Sequence, residues 1–196
     1  VFGDWSSDVC SSDLSEICRE IKTRSQYSGG LMDKWQLRPD VLKNLLNPAY
    51  MSIIIASIAR GYRDECHNNI DFALLQIATT LFFNRAVRDR LPRNKTNSMP
   101  GWIQENIGYL IGIYDKSNEI LQYIKEGILW GHAHEVITIS LDSEVIMHPD
   151  ANERFFKSIR KNNGLTKPVR SAEKLGKWFA HAGSTDTVLQ IWRILL

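Results

Sequence analysis

The segment from Asp71 to Phe83, DFALLQIATTLFF, constrains this chain more than any other. At helical spacing Phe72, Leu75, Thr79 and Phe82 form one face and Leu74, Ala78 and Leu81 another, so the apolar surface is too wide for a peripheral helix. Such a helix must be surrounded by other elements. Asp71 stands where a side-chain oxygen can receive the first free backbone N–H groups and open it.

The flanking residues supply that packing. Pro39 fits a first helical turn, and Val41, Leu42, Leu45 and Leu46 make a short apolar stripe behind it. Asn47 then caps a second helix with Pro48 at its first position, running to about Arg63 with Ile54, Ile58 and Tyr62 in step and Ile53 alongside. Gly61 in that helix allows close packing. Beyond the central helix comes a basic segment ending at Leu91 and Pro92. Ser98 caps a short helix through Trp102 and Glu105, and a longer one from about Tyr109 to Lys125 carries Leu110, Ile113, Ile120, Leu121 and Ile124.

Only Val136 to Ile146 favours strands. Val136, Thr138 and Ser140 alternate with Ile137, Ile139 and Leu141, and Asp142 with Ser143 makes a turn into Val145 and Ile146. A helix is then expected from Asn152 to Lys161, a loop from Asn162 to Lys167, and a helix with Leu175, Trp178, Phe179 and Ala182 on one stripe, stopped by Gly183. Ser184 caps a last helix with Val188, Ile191, Trp192 and Leu195. The fold class is mainly α: a single compact helical domain with one small β-hairpin. A helix followed by a hairpin also fits the last part of a winged helix.

The beginning of the chain reads differently. DWSSDVCSSDL, from Asp4 to Leu14, has no helical or strand period and resembles the translation of a sequencing-library adapter. Gly29 and Gly30 stand just ahead of Met32, where the codons GGAGGN would place a ribosome-binding sequence before an ATG. The expectation is a non-native or disordered leader over residues 1–31, adapter-like over 1–14, and one domain over 32–196. A Gly-Gly linker after a short helix from Glu16 to Arg24 is the alternative.

Without the leader's three basic and five acidic residues, 21 Lys and Arg stand against 17 Asp and Glu, a net charge of +4. That permits a nucleic-acid contact without demanding one. Cys66 is then the one cysteine, so neither a disulfide framework nor a cysteine-based zinc site is available. The longest apolar stretches, Met51 to Ala59 and Ala73 to Phe83, fall short of the roughly 20 residues that span a bilayer. The expected location is the cytoplasm, with no membrane partner.

Two motifs near the ends of this domain carry a resemblance: LRPDVLKNLLNPAY, Leu37 to Tyr50, and AEKLGKWFAHAGS, Ala172 to Ser184. In that order and spacing, with Arg38, Pro39, Asn47, Pro48, Gly176, Trp178 and Phe179 as their marks, the chain resembles the middle component of bacterial three-component ABC systems. Leu91 with Pro92, and Trp102 with Glu105 and Asn106, look like that family's internal signatures. The resemblance implies partners: a DNA-repair-type ABC ATPase and a third, effector-bearing component, in defence against phages or other mobile elements. It brings no established active site.

The residues themselves offer little catalysis. His132 and His134 beside Glu135 are the best metal candidates, but a two-residue spacing aligns both imidazoles only on a strand and no third ligand is identifiable, so a solvated loop is the better reading. Gly176 with Lys177 is followed by Trp178, not by the hydroxyl a phosphate-binding loop needs, which makes Gly176 a packing residue. No catalytic residue, metal or cofactor is expected.

Arg85, Arg88, Arg90, Arg93 and Lys95, opposed only by Asp89, form the main charge cluster. It fits a phosphate contact, a protein contact or a solvated helix end. Trp192 fits either the domain's core or the centre of a partner interface.

Overall fold

The computed structural model describes residues 46–92, 94, 97–148, 156–157, 159 and 163–193. Seven helices and three short strands follow in the order α1 (Pro48–Cys66), β1 (Ile70–Asp71), α2 (Phe72–Phe83), α3 (Arg85–Arg88), α4 (Met99–Leu110), α5 (Ile113–Ala133), β2 (Ile137–Ile139), β3 (Glu144–Met147), α6 (Asn163–His181) and α7 (Thr185–Arg193) among those residues. The architecture is mainly α with a small antiparallel sheet.

Local side-chain chemistry sets the helix starts. The Ala49 N–H donates to Asn47 Oδ1 at 2.8 Å and Pro48 takes the first turn of α1, where no N–H is needed. Asp71 Oδ1 accepts from the Ala73 N–H at 2.7 Å, Ser98 Oγ from the Gly101 N–H at 3.4 Å, and Ser184 Oγ from the Thr187 N–H at 3.3 Å. All four caps stand where the sequence puts them.

The central helix is as enclosed as its composition demands. Every residue of α2 from Phe72 to Phe82 is buried. Two of its polar members are paired: Gln76 Nε2 donates to Ser117 Oγ at 3.0 Å and Thr80 Oγ1 to the Gln76 carbonyl at 2.8 Å, while Thr79 Oγ1 has no partner among the described residues.

Beside α2, helix α1 packs most extensively against α6, and next against α5. Both neighbours approach through glycine. A Cβ at Gly176 would run into the Ile58 carbonyl and the Tyr62 amide, and one at Gly61 into the backbone of Glu173. On the other flank Gly127 admits Met51, and Gly131 admits Ser52 and Ile137. An ion pair between Arg60 and Glu173 closes the α1–α6 contact, with the Arg60 guanidinium 3.6 Å from the centre of the Phe156 ring.

The hairpin is β2 with β3, in the register Ile137↔Met147, Thr138↔Ile146 and Ile139↔Val145. It has a third strand. β1 pairs antiparallel to β3 through Ile70↔Val145 and Asp71↔Glu144, giving the order β1-β3-β2. Ser143 turns the hairpin with a φ of 65°, and its carbonyl accepts the Phe72 N–H at 2.9 Å, tying the turn to the start of α2.

Three expectations need correction. The helix expected from about Tyr109 is interrupted: α4 ends at Leu110, Gly112 adopts a φ of 71°, and α5 starts at Ile113 and continues to Ala133. Gly112 supplies a left-handed turn that breaks the period. The loop from Asn162 to Lys167 is helical from Asn163, for α6 contains Pro168. Proline forfeits one backbone hydrogen bond there, and burial of Val169 with packing of Leu165 on the core outweighs it. His132, read as part of a loop, sits in the last turn of α5. The stripe Val41, Leu42 and Leu45, most of the helix expected from Asn152 to Lys161, and Leu195 lie outside the described residues.

Candidate functional site

The arginine segment is held in place by two tryptophans. Trp102 on α4 donates its indole N–H to the Arg90 carbonyl at 2.9 Å, and Trp178 on α6 donates to the Asn97 carbonyl at 2.8 Å. The two rings meet edge to face, 5.1 Å between centroids. Leu91 and Pro92 lie between these anchors, and together with Trp102, Asn106 and Tyr109 they line an open cleft of about 600 Å³. Trp102 and Trp178 are both buried, so each is a core residue with one polar atom spent on fixing the connection between α3 and α4.

The arginines diverge. Arg85 is exposed, facing Asp89 at 3.9 Å. Arg88 turns back: its guanidinium donates to the Phe82 carbonyl at 3.3 Å and lies 5.7 Å from that ring's centre. Arg90 donates to the Ala86 carbonyl at 2.7 Å and lies 3.6 Å from the centre of the Tyr109 ring. Arg93 and Lys95 lie outside the described residues, as do Arg38 and Pro39. The described arginines therefore support the end of α2 and the face of α4, with only Arg85 free of the protein's own carbonyls and rings.

Trp192 is 1 % exposed and stacks on Phe179 with planes 7° apart, 6.4 Å between centroids. It is a core residue of this domain. Its indole N–H has no partner among the described residues.

The histidines do not converge. His134 stacks on Trp130 at 3.8 Å, and its Nδ1 lies 2.8 Å from the Trp130 carbonyl. Among the described residues no three His, Cys, Asp or Glu side chains stand close enough to share a metal ion, and no helix is long and apolar enough to cross a membrane.

Asp71 is the unusual carboxylate. Burial pushes its pKa up, against the two N–H groups of α2 that it caps, and the nearby carboxylates Glu144 and Asp186 push the same way. The cross-strand pairing places Asp71 opposite Glu144, which accepts from Asn69 Nδ2 at 3.1 Å.

Residues 35–196 match the protein family described as the ABC-three component (ABC-3C) system Middle Component 3. The chain belongs to that family. No curated protein and no solved structure matches it. In this middle component the residues singled out in the sequence have visible structural work: Asn47 and Pro48 start α1, Gly176 seats α6 on α1, Trp178 and Trp102 fix the arginine segment, and Phe179 packs on Trp192.

What the sequence missed is the divergence of the arginines. Their spacing puts Arg85 and Arg88 on one helical face, but α3 is a single turn and the chain leaves it at once. Phe82, which receives Arg88, is visible in the sequence as a core candidate, whereas Tyr109, which receives Arg90, is visible only as the start of a helix.

Proposed function

We propose that this middle component is a non-enzymatic, cytoplasmic adaptor that couples the ABC ATPase of its system to the effector-bearing third component, in defence against phages or other mobile elements. Family membership over residues 35–196 carries the reading. A fold in which Trp102, Trp178, Trp192, Gly176 and the segment's Arg88 and Arg90 serve its own packing supports it: these side chains are occupied in holding the domain together. ATP hydrolysis belongs to the partner ATPase.

Strand order favours a second reading. A strand after the first helix closes the later hairpin into a three-stranded sheet, β1-β3-β2, as the wing of a winged-helix DNA-binding protein is closed. The helix before the hairpin would then face DNA. That helix, α5, carries Asp115, Glu119 and Glu126 against Lys116 and Lys125, a poor balance for phosphate.

Co-expression with the ABC ATPase and third component encoded beside it separates the two. An adaptor co-purifies with one or both, and the isolated chain binds DNA weakly and hydrolyses no ATP. Tight, salt-sensitive DNA binding by the isolated chain, without association with either component, rejects the adaptor in favour of the winged-helix reading.

A further inference from the structure

Among the described residues the exposed large apolar side chains are concentrated in one place. Of five such residues among those described, Ile107, Tyr109, Ile111 and Tyr114 fall within eight consecutive positions at the elbow between α4 and α5, and only Leu141 lies elsewhere. Ile111 is 77 % exposed and Ile107 55 %. Scattered exposed hydrophobics are ordinary; a local concentration marks a contact surface.

Gly108 stands in the middle of this patch, and the described residues give no reason for it. Gly61, Gly127, Gly131 and Gly176 each admit a neighbour too close for a Cβ, whereas a Cβ at Gly108 would meet nothing within 4 Å. Nor is its backbone left-handed, since Gly112 and Gly183 are the glycines with positive φ among the described residues. An exposed glycine inside a helix disfavours it relative to alanine. The missing side chain fits a neighbour supplied by another molecule.

We infer that the α4–α5 elbow, centred on Gly108 between Ile107, Tyr109 and Ile111, is the docking surface for a protein segment whose apolar side chains are flanked by lysine or arginine. The charge argues for that chemistry. From Gln104 to Glu119 the chain carries Glu105, Asp115 and Glu119 against Lys116. Asp89 and Arg90, which line the cleft beside Tyr109 with Arg90 over its ring, cancel, so the face keeps an acidic excess although the whole protein has a net charge of +2. A second copy is disfavoured by the same count, because a twofold contact sets the same carboxylates against each other. The inference rests on the adaptor reading and names which face of the adaptor one of the other two components takes.

The test measures affinity of the full chain for the purified ATPase and the purified third component, with melting temperature followed in parallel. Three variants probe the face: Gly108→Ala with Gly108→Gln, the double variant Ile107→Ser and Ile111→Ser, and the charge reversal Glu105→Lys, Asp115→Lys and Glu119→Lys. Gly108→Ala raises the melting temperature of the isolated chain, while Gly108→Gln and the double variant weaken capture of one component by about tenfold or more without lowering that temperature. Charge reversal slows association and removes its salt dependence. Wild-type binding that all variants retain overturns the docking surface and leaves the adaptor standing. Wild type that binds neither component overturns both. Self-association of the wild type that the double variant abolishes also overturns the inference, giving the face to a second copy.

Discussion

Gly176 of α6 lies against the carbonyl of Ile58 on α1, closer than any residue with a Cβ could come. Replacing a helical glycine by alanine ordinarily stabilises by about 1 kcal/mol. Here the sign reverses. Gly176→Ala forces a methyl into backbone and is expected to cost roughly 1–3 kcal/mol or more, as is Gly61→Ala at the Glu173 backbone. Urea unfolding of the two variants measures this; a gain in stability would show that α6 does not seat on α1 in this way.

Trp192→Ala removes a ring that is 1 % exposed and stacked on Phe179. The expected loss is roughly 3–5 kcal/mol, read by thermal or chemical unfolding. An interface anchor would behave in the opposite way, abolishing capture of a partner while leaving the melting temperature intact.

Asp71 makes stability depend on pH. Its folded pKa is raised above the ordinary value of 3.8, so the folded state holds the proton more tightly than the unfolded chain does. Its contribution is fully present below the unfolded pKa and is lost as pH rises through the folded one. Asp71→Asn keeps a capping oxygen for the Ala73 N–H and removes the charge opposite Glu144. That variant is expected to flatten the fall of melting temperature with pH in the window just above 3.8, with little loss at neutral pH. An unchanged pH profile would assign the dependence to other groups.

Deleting residues 1–31 is expected to leave the melting temperature unchanged. The family match begins at residue 35, and the described core is assembled from Met51 onward. A large fall on deletion would mean that the leader contributes apolar contacts its composition gives no reason to expect.

How much of this could be read in advance follows the range of the forces involved. Asn47, Asp71, Ser98 and Ser184 were legible as caps because each satisfies a donor two or three residues away. The burial of α2 was legible because its composition leaves no polar face. Strand β1 was not: Ile70–Asp71 is too short to show alternation, and Asp71 is also the cap of α2. The start of α6 reads as a loop from Asn162 to Lys167 because the contacts that compensate for Pro168 inside the helix are tertiary. At the elbow the sequence shows that Ile107 and Ile111 are apolar, while only the fold shows that they face outward.

The glycines on the two flanks of α1 have a mechanical consequence. With Gly176 and Gly61 interlocking α6 on one flank, and Gly127 and Gly131 seating α5 on Met51 and Ser52 on the other, a helix cannot slide by one turn past its neighbour without driving side chains into backbone. Shear is blocked in this part of the domain. A push received at one end of these helices is therefore delivered at the other as a movement of the whole block, so the domain behaves as a strut between whatever it touches.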